Sequence, residues 1–337
     1  MKILITGASG FVGNHLVHHA AKSGFETFAG VRACSNLSNL QDIPSVTFID
    51  LPYQDKGKLK AYLLECKLKY GKMDYIIHNA GLTKCKKKSD FDRVNYEYTR
   101  NFVEALIETD CVPQKFIYMS SLSAIGSGNE LTMEPLLANE TPHPNTLYGY
   151  SKLKAEQFLQ ATAGFPYLIV RPTGIYGPGD KDYTIYVETI DKGIEPYLGF
   201  KPQYISFIYV TDLVSIIFKI LEGDITRKAY FVSDGKSYTQ QEYASIVKKH
   251  LKKKTIKITV PLFITKALCY TMDVVGGWFG QVPTLNADKY KIMSCRNWLC
   301  DISELEKDFG FKPMYFLNEG VQETVSWYLA QKASSKK

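Results

Sequence analysis

Five residues into the chain, an apolar run meets a glycine-rich turn. Met1-Lys2-Ile3-Leu4-Ile5 leads into Thr6-Gly7-Ala8-Ser9-Gly10-Phe11-Val12-Gly13, and an amphipathic stretch follows. This order predicts a strand, a tight turn and a helix. Gly7 lets the chain turn sharply, Gly10 lets the backbone approach a pyrophosphate, and Gly13 lets the helix lie close to the strand. The start of the helix then offers unpaired amides and a positive dipole end to an anion. Gly7, Ser9, Gly10, Phe11, Val12 and Gly13 are therefore the predicted phosphate seat.

The same alternation runs on. Apolar runs at 26–31, 45–49, 75–78, 115–120 and 167–171 read as further strands, with helical patterns such as 13–23, 92–109 and 148–162 between them. Strands that alternate with helices form a parallel sheet covered on both faces. The expected fold is therefore α/β, a Rossmann-type doubly wound parallel sheet with a smaller, mostly C-terminal substrate lobe. Residues 1–176 are assigned to the dinucleotide-binding domain, with returning segments at about 205–235. Residues 177–204 and 236–316 are assigned to the lobe, and 317–337 to a closing helix and basic tail. Gly177-Pro178-Gly179-Asp180 marks the first change of rhythm.

Composition narrows the class. Hydrophobic residues make up 45% and charged residues 22% of the 337, which suits a chain that buries a core. The net charge of +7 is gathered at 84–88, 250–257 and 334–337, a pattern of solvated loops and ends rather than a nucleic-acid face. Seven cysteines without paired spacing read as reduced thiols in a cytoplasmic protein, and no metal site is expected. The opening residues read as a strand and not as a signal peptide. The most apolar stretch, 260–279, is interrupted by Lys266 and Asp273. It is expected to pack as a helix in the lobe, with no stable membrane insertion.

Tyr148-Gly149-Tyr150-Ser151-Lys152 puts a phenol and an ammonium one helical turn apart on one face. Moving a hydride to or from a carbinol carbon requires a proton to move at its oxygen. A neighbouring cation favours the phenolate and so helps a tyrosine in that exchange. Tyr118-Met119-Ser120-Ser121-Leu122-Ser123 ends a strand at the carboxyl edge of the sheet, where open α/β folds bind ligands. Any of its three serines could orient a substrate oxygen. At the end of the second strand, where an acid would hold ribose hydroxyls, the chain has Val31-Arg32. A guanidinium there suits a 2′-phosphate, so NADP is expected over NAD.

Taken in order, these elements resemble the extended short-chain dehydrogenase/reductases, the NAD-dependent epimerase/dehydratase family. The pattern is closest to the branch of hydroxysteroid dehydrogenases and dihydroflavonol reductases. The elements run from 6–13 through Asp50-Leu51, 78–81, Asn95, Ser120-Ser121, Tyr148/Lys152, Arg171-Pro172 and 176–179 to 209–212. The resemblance implies an NADP- or NAD-dependent enzyme with Tyr148, Lys152, Ser121 and Asn95 as catalytic residues. Ser121 follows from counting back from Gly126 against the family's Ser-Ser-x-x-x-x-Gly, with Ser120 and Ser123 as alternatives. It adds Asp50, Leu51, Asn79, Ala80, Gly81, Lys152 and Pro172 to the cofactor contacts. It also implies a homodimer paired through 92–109 and 148–162.

Two branches separate by chemistry. Nucleotide-sugar epimerases and dehydratases hold a diphosphate with an arginine, where this chain has Ile205. The hydroxysteroid and dihydroflavonol branch takes apolar alcohols or ketones. Tyr183, Tyr186, Tyr197, Phe200, Tyr204 and Phe207 fall where such a substrate would sit. The expectation is thus an oxidoreductase on a fairly apolar secondary alcohol or ketone. The alternatives are a nucleotide-sugar 4-epimerase or dehydratase, and a non-catalytic NADP-binding regulatory protein.

Overall fold

The computed structural model describes residues 1–278 and 286–334, with the backbone alone over 274–278. Most of the expected basic tail, 335–337, and the last residue of the apolar stretch, Phe279, lie outside the described residues.

Seven strands form the main sheet. In chain order they are β1 (Lys2–Thr6), β2 (Glu26–Gly30), β3 (Val46–Ile49), β4 (Tyr75–His78), β5 (Lys115–Met119), β6 (Tyr167–Pro172) and an edge strand Lys228–Val232. Their spatial order is β3-β2-β1-β4-β5-β6-edge. The pairs from β3 across to β6 are parallel, with Thr6 beside Gly30 on one side and beside His78 on the other. The chain starts in the middle, winds out to β3, then returns to β4 and winds the other way. The reversal lies between β1 and β4, so the loops after Thr6 and His78 flank the crevice where such sheets bind ligands. This is the doubly wound α/β fold expected from the sequence.

Helices α1 (Phe11–Lys22), α2 (Lys56–Tyr70), α3 (Ser89–Phe91), α4 (Tyr98–Glu108) and α5 (Leu147–Ala161) make the crossovers. Between α3 and α4, residues Asp92–Glu97 form a π-helical turn. The core under the helices is built from Phe28, Ile76, Phe102, Phe116 and Ile169, all essentially inaccessible. Such β-branched and aromatic runs are what a parallel strand buried on both faces requires.

The chain divides into two compact units. The first is Met1–Ala124, Leu147–Arg171 and Val214–Tyr230; the second is Ile125–Thr146, Pro172–Leu213 and Phe231–Lys337. The sequence-based boundary at 176 had kept 125–146 with the nucleotide domain, whereas by compactness it groups with the second unit.

The second unit has its own core, with Tyr176, Val187, Phe207, Tyr243, Leu317 and Val321 packed together. Tyr183 and Phe207 meet edge to face at 5.5 Å, and Tyr186 lies 5.1 Å from Tyr243. Those three rings, expected to face a substrate, pack in this core, and Phe200 is exposed. The apolar stretch forms the helix Leu262–Trp278. It departs from the packing expectation. Thr265 and Cys269 are buried, but Phe263, Ile264, Leu268 and Tyr270 face solvent.

Candidate active site

The glycine turn does what its spacing requires. Gly7 has φ +66°, a conformation L side chains rarely adopt, and a Cβ there would come within 2.8 Å of the Ala80 backbone. A Cβ on Gly13 would run into the Gly7 carbonyl oxygen. The loops after β1 and β4 are thereby pressed together, and Asn79 Nδ2 reaches the Gly7 carbonyl at 3.4 Å. Gly10 caps α1 without a side-chain hydrogen bond, and no acidic residue stands in the first turn. The amides there are left to an anion, so the residues fit the pyrophosphate of a dinucleotide.

The predicted base-side contacts lie in the same unit. Asp50 accepts the Ala33 amide at 3.0 Å, and Leu51 is buried at the end of β3. Arg32 is exposed at the end of β2, its amide donating to Ser35 Oγ at 3.1 Å. Pro172 closes β6 and is counted with the second unit.

A hydrogen-bonded relay runs beneath the turn. The Ala80 amide donates to Thr6 Oγ1 at 3.0 Å, and Thr6 Oγ1 lies 2.9 Å from His78 Nδ1. On the other side His78 Nε2 lies 3.1 Å from Thr99 Oγ1, whose own hydrogen goes to the Asn95 carbonyl at 2.9 Å. The one hydrogen of Thr99 goes to Asn95, so its oxygen accepts from Nε2–H, and in the neutral ring Nδ1 then accepts from Thr6. Burial, with a smaller contribution from Lys152, pushes the His78 pKa down to about 3.

Asn95 lies in the π-helical turn, which directs it inward at full burial. Its Oδ1 accepts the Leu82 amide at 2.7 Å, and its Nδ2 donates to the Leu82 carbonyl at 3.0 Å and to Ser151 Oγ at 2.9 Å. Asn95 thus fixes the loop after β4 against α5. A π-turn at such a point is a common mark of a functional site.

Tyr148 and Lys152 lie one turn apart on α5. Burial raises the Tyr148 phenol to about 12, and a hydrogen bond with the Ser121 side chain opposes that shift. Lys152 is buried, with Nζ donating to the Met119 carbonyl at 2.7 Å and lying 4.9 Å from the centre of the Tyr118 ring. Burial pulls its pKa down to about 8, against the attraction of Glu156. A Cβ on Gly81 would approach Asn95 Oδ1 to 3.0 Å and Lys152 Nζ to 3.1 Å, so these three groups converge. The sequence argument had the lysine and an oxidised nicotinamide together favour the phenolate. In the structure burial is the largest influence on the phenol and raises it.

The three candidate serines separate. Ser120 is buried and donates to the Glu156 carboxylate. Ser121 is half-buried and is the one that meets Tyr148. It also accepts the Ser123 amide at 3.2 Å.

Sequence reasoning did not find Glu156. It is fully buried, and Arg171 clasps it with Nη2 at 2.7 Å and Nε at 3.1 Å from each oxygen. A signal existed: a carboxylate four residues beyond Lys152 on a helix with an apolar core face.

The sequence profile described as the NAD dependent epimerase/dehydratase family matches residues 3–232. The chain belongs to that family. Members of the NAD-dependent epimerase/dehydratase family are extended short-chain dehydrogenase/reductases, and the chain is an enzyme of this oxidoreductase type. It is 26% identical to a UDP-glucose 4-epimerase of Vibrio cholerae, over 97% of this chain and 95% of that protein. It is 23% identical to a 3-beta-hydroxysteroid dehydrogenase of Mycolicibacterium neoaurum, over 97% and 91%. Its fold is that of a dTDP-glucose 4,6-dehydratase from Bacillus anthracis solved with NAD, with a TM-score of 0.77, 21% identity, and coverage of 99% of this chain and 98% of that one. No helix among the described residues is long and apolar enough to cross a membrane.

Proposed function

We propose that the chain is an NADP-linked oxidoreductase that interconverts a secondary alcohol and a ketone on a fairly apolar small molecule. The observation that carries this reading is the half-buried Tyr148, its phenol hydrogen-bonded to Ser121 one turn before the buried Lys152. When bound, the nicotinamide supplies or accepts the hydride. In reduction, Tyr148 donates its proton to the carbonyl oxygen, a role suited to a phenol held protonated at neutral pH. Ser121 orients that oxygen toward the phenol. Lys152, anchored on Met119, holds the nicotinamide ribose, and Asn95 fixes the loop that faces it. Gly7, Ser9, Gly10, Phe11, Val12 and Gly13 seat the pyrophosphate. Asp50, Leu51, Asn79, Ala80, Gly81 and Pro172 border the rest of the cofactor.

Arg32 supports NADP over NAD. It is exposed where the 2′-phosphate would lie, and no acid replaces it. Ile205 supports the apolar substrate. It is half-buried against the aromatic core of its unit, where a diphosphate would need a cation. The similarity to a UDP-glucose 4-epimerase favours the second reading, a nucleotide-sugar epimerase or dehydratase. We also read the seven cysteines, none of them in a disulfide, as those of a cytoplasmic protein, and residues 92–109 and 148–162 as the pairing helices of a homodimer. The test is turnover of NADPH with sterol- and flavonoid-type ketones beside conversion of UDP- and dTDP-sugars. Reduction of a ketone without sugar conversion is expected; sugar conversion without net NADPH consumption would establish the second reading instead.

A further inference from the structure

Helix α5 holds the end of β5 and the two residues after it at three successive points. Lys152 Nζ donates to the Met119 carbonyl at 2.7 Å. One turn further on, the Glu156 carboxylate accepts the Ser120 hydroxyl. One turn back, the Tyr148 phenol meets the Ser121 side chain. Tyr148, Lys152 and Glu156 are spaced by four, so they follow one another along one side of the helix. The middle contact is the most enclosed, because Glu156 and Ser120 are both buried. The Ser120 amide is tied as well, to the Val170 carbonyl of β6 at 2.8 Å.

The carboxylate itself is fixed from the other side. Arg171 Nε lies 3.1 Å from each of its oxygens, and Nη2 lies 2.7 Å from Oε2. Oε1 is thus shared between the guanidinium on β6 and the hydroxyl after β5. Glu156 is also the negative charge that opposes the effect of burial on Lys152. The other titratable groups around that ammonium are neutral near pH 7. Burial raises both the Tyr118 phenol, whose ring centre lies 4.9 Å from Nζ, and the Tyr148 phenol, and it holds His78 uncharged.

We propose that Glu156 is a positioning residue: it locks the end of β5 in register with α5, so that Ser121 stays on the Tyr148 phenol and Lys152 stays on Met119. The inference rests on the roles proposed above for Tyr148, Ser121 and Lys152, and adds the group that holds them to one another. Glu156 acts through Ser120, its hydrogen-bonded neighbour, and through its charge on Lys152. A buried ion pair adds little to stability over apolar side chains of the same bulk. What this one supplies is direction. A carboxylate pinned by a planar guanidinium offers Ser120 one fixed acceptor, and Ser121 is the next residue. A displacement of about 1 Å at a reacting group can cost about a hundredfold in rate.

The full chain is compared with Glu156→Gln and with the apolar pair Glu156→Leu/Arg171→Met, whose unfolding midpoint should lie near the native one. In the apolar pair, turnover of ketones or sugar nucleotides, whichever the chain converts, should fall at least about tenfold in kcat, with KM within about threefold. Affinity for the reduced cofactor, read by fluorescence from about pH 7 to 10, follows the charge on Lys152 without any turnover. Native affinity should weaken above about pH 8, and Lys152→Met should remove that dependence. In Glu156→Gln the weakening should begin about one pH unit lower. If Glu156→Gln does not fold, the apolar pair decides. Native kcat in a stable apolar pair would overturn the proposal, as would a Glu156→Gln profile equal to the native one. A native profile that Lys152→Met leaves unchanged would refute the role given to Lys152 under the proposed function, and the inference would fall with it.

Discussion

Arg171 closes on Glu156 in a pair with almost no access to water, Nη2 to Oε2 at 2.7 Å, and the carboxylate also takes the hydroxyl hydrogen of Ser120. The pair ties the end of β6 to α5, which carries Tyr148 and Lys152, and to the serine segment after β5, which carries Ser121. Breaking one partner leaves a buried charge alone, which costs about 3–5 kcal/mol. Glu156→Gln should therefore lower stability by about that amount in urea unfolding. The double variant Glu156→Leu with Arg171→Met should recover most of it. Equal stability of Glu156→Gln and native protein would show the pair to be dispensable.

His78 sets an acid limit. Its native pKa, about 3, lies below the ordinary value of 6.5, so between these values the unfolded chain takes up a proton that the native ring refuses. Stability contributed by the neutral ring is complete above about pH 6.5 and falls as pH drops, at up to about 1.4 kcal/mol per pH unit. His78→Gln should show a shallower loss than native protein between pH 6.5 and 4. Parallel stability curves would mean the ring is not held neutral.

The proton donor should separate from the cofactor seat. Tyr148→Phe is expected to lower kcat by about 10²–10⁴ and to leave NADPH affinity within about twofold. In native protein the reduction rate should hold up to about pH 8 and then decline as Lys152, lowered to about 8 by burial, loses its charge. Stopped-flow rates across pH 6–10 read both effects. A rate that climbs through that interval would reverse the assignment of Lys152.

The two neighbouring serines should behave differently. Ser121→Ala removes the partner of the phenol and should lower kcat about tenfold or more, with little change in stability. Ser120→Ala removes a donor from buried Glu156 and should instead lower the unfolding midpoint. The reverse pattern would make Ser120 the group that faces substrate.

Arg32 is tested by cofactor choice. Arg32→Ala should weaken NADP about ten- to hundredfold, the worth of a charge-assisted pair, and leave NAD unchanged. Calorimetric titration with both cofactors measures the difference. An equal loss for both would mean that Arg32 does not distinguish them.

The sheet was legible because its signals are local. Lys2–Thr6 and Tyr75–His78 are short apolar runs ended by turn residues, and the structure starts and stops both strands where the sequence reading did. The reversal between β1 and β4 also follows from local order, since the glycine turn opens the chain. What was not legible depends on partners far apart in sequence. Glu156 reads as an ordinary helix charge until Arg171, on the next strand, is folded against it. Tyr183, Tyr186 and Phe207 read as a pocket wall because aromatic content does not say whether rings face each other or a ligand. The helix Leu262–Trp278 reads as buried because its exposed side is apolar too, which periodicity cannot distinguish.

The wide turn at Asp92–Glu97 holds one residue more than a regular coil of that rise would. Remove a single residue there and the backbone could settle into ordinary α geometry. Everything on its N-terminal side would then swing by about 100°. Asn95 would point away from Leu82, and the loop facing Lys152 would lose its anchor. Length, not only identity, is therefore fixed at this spot, and shortening by one amino acid should be tolerated far less than most single replacements.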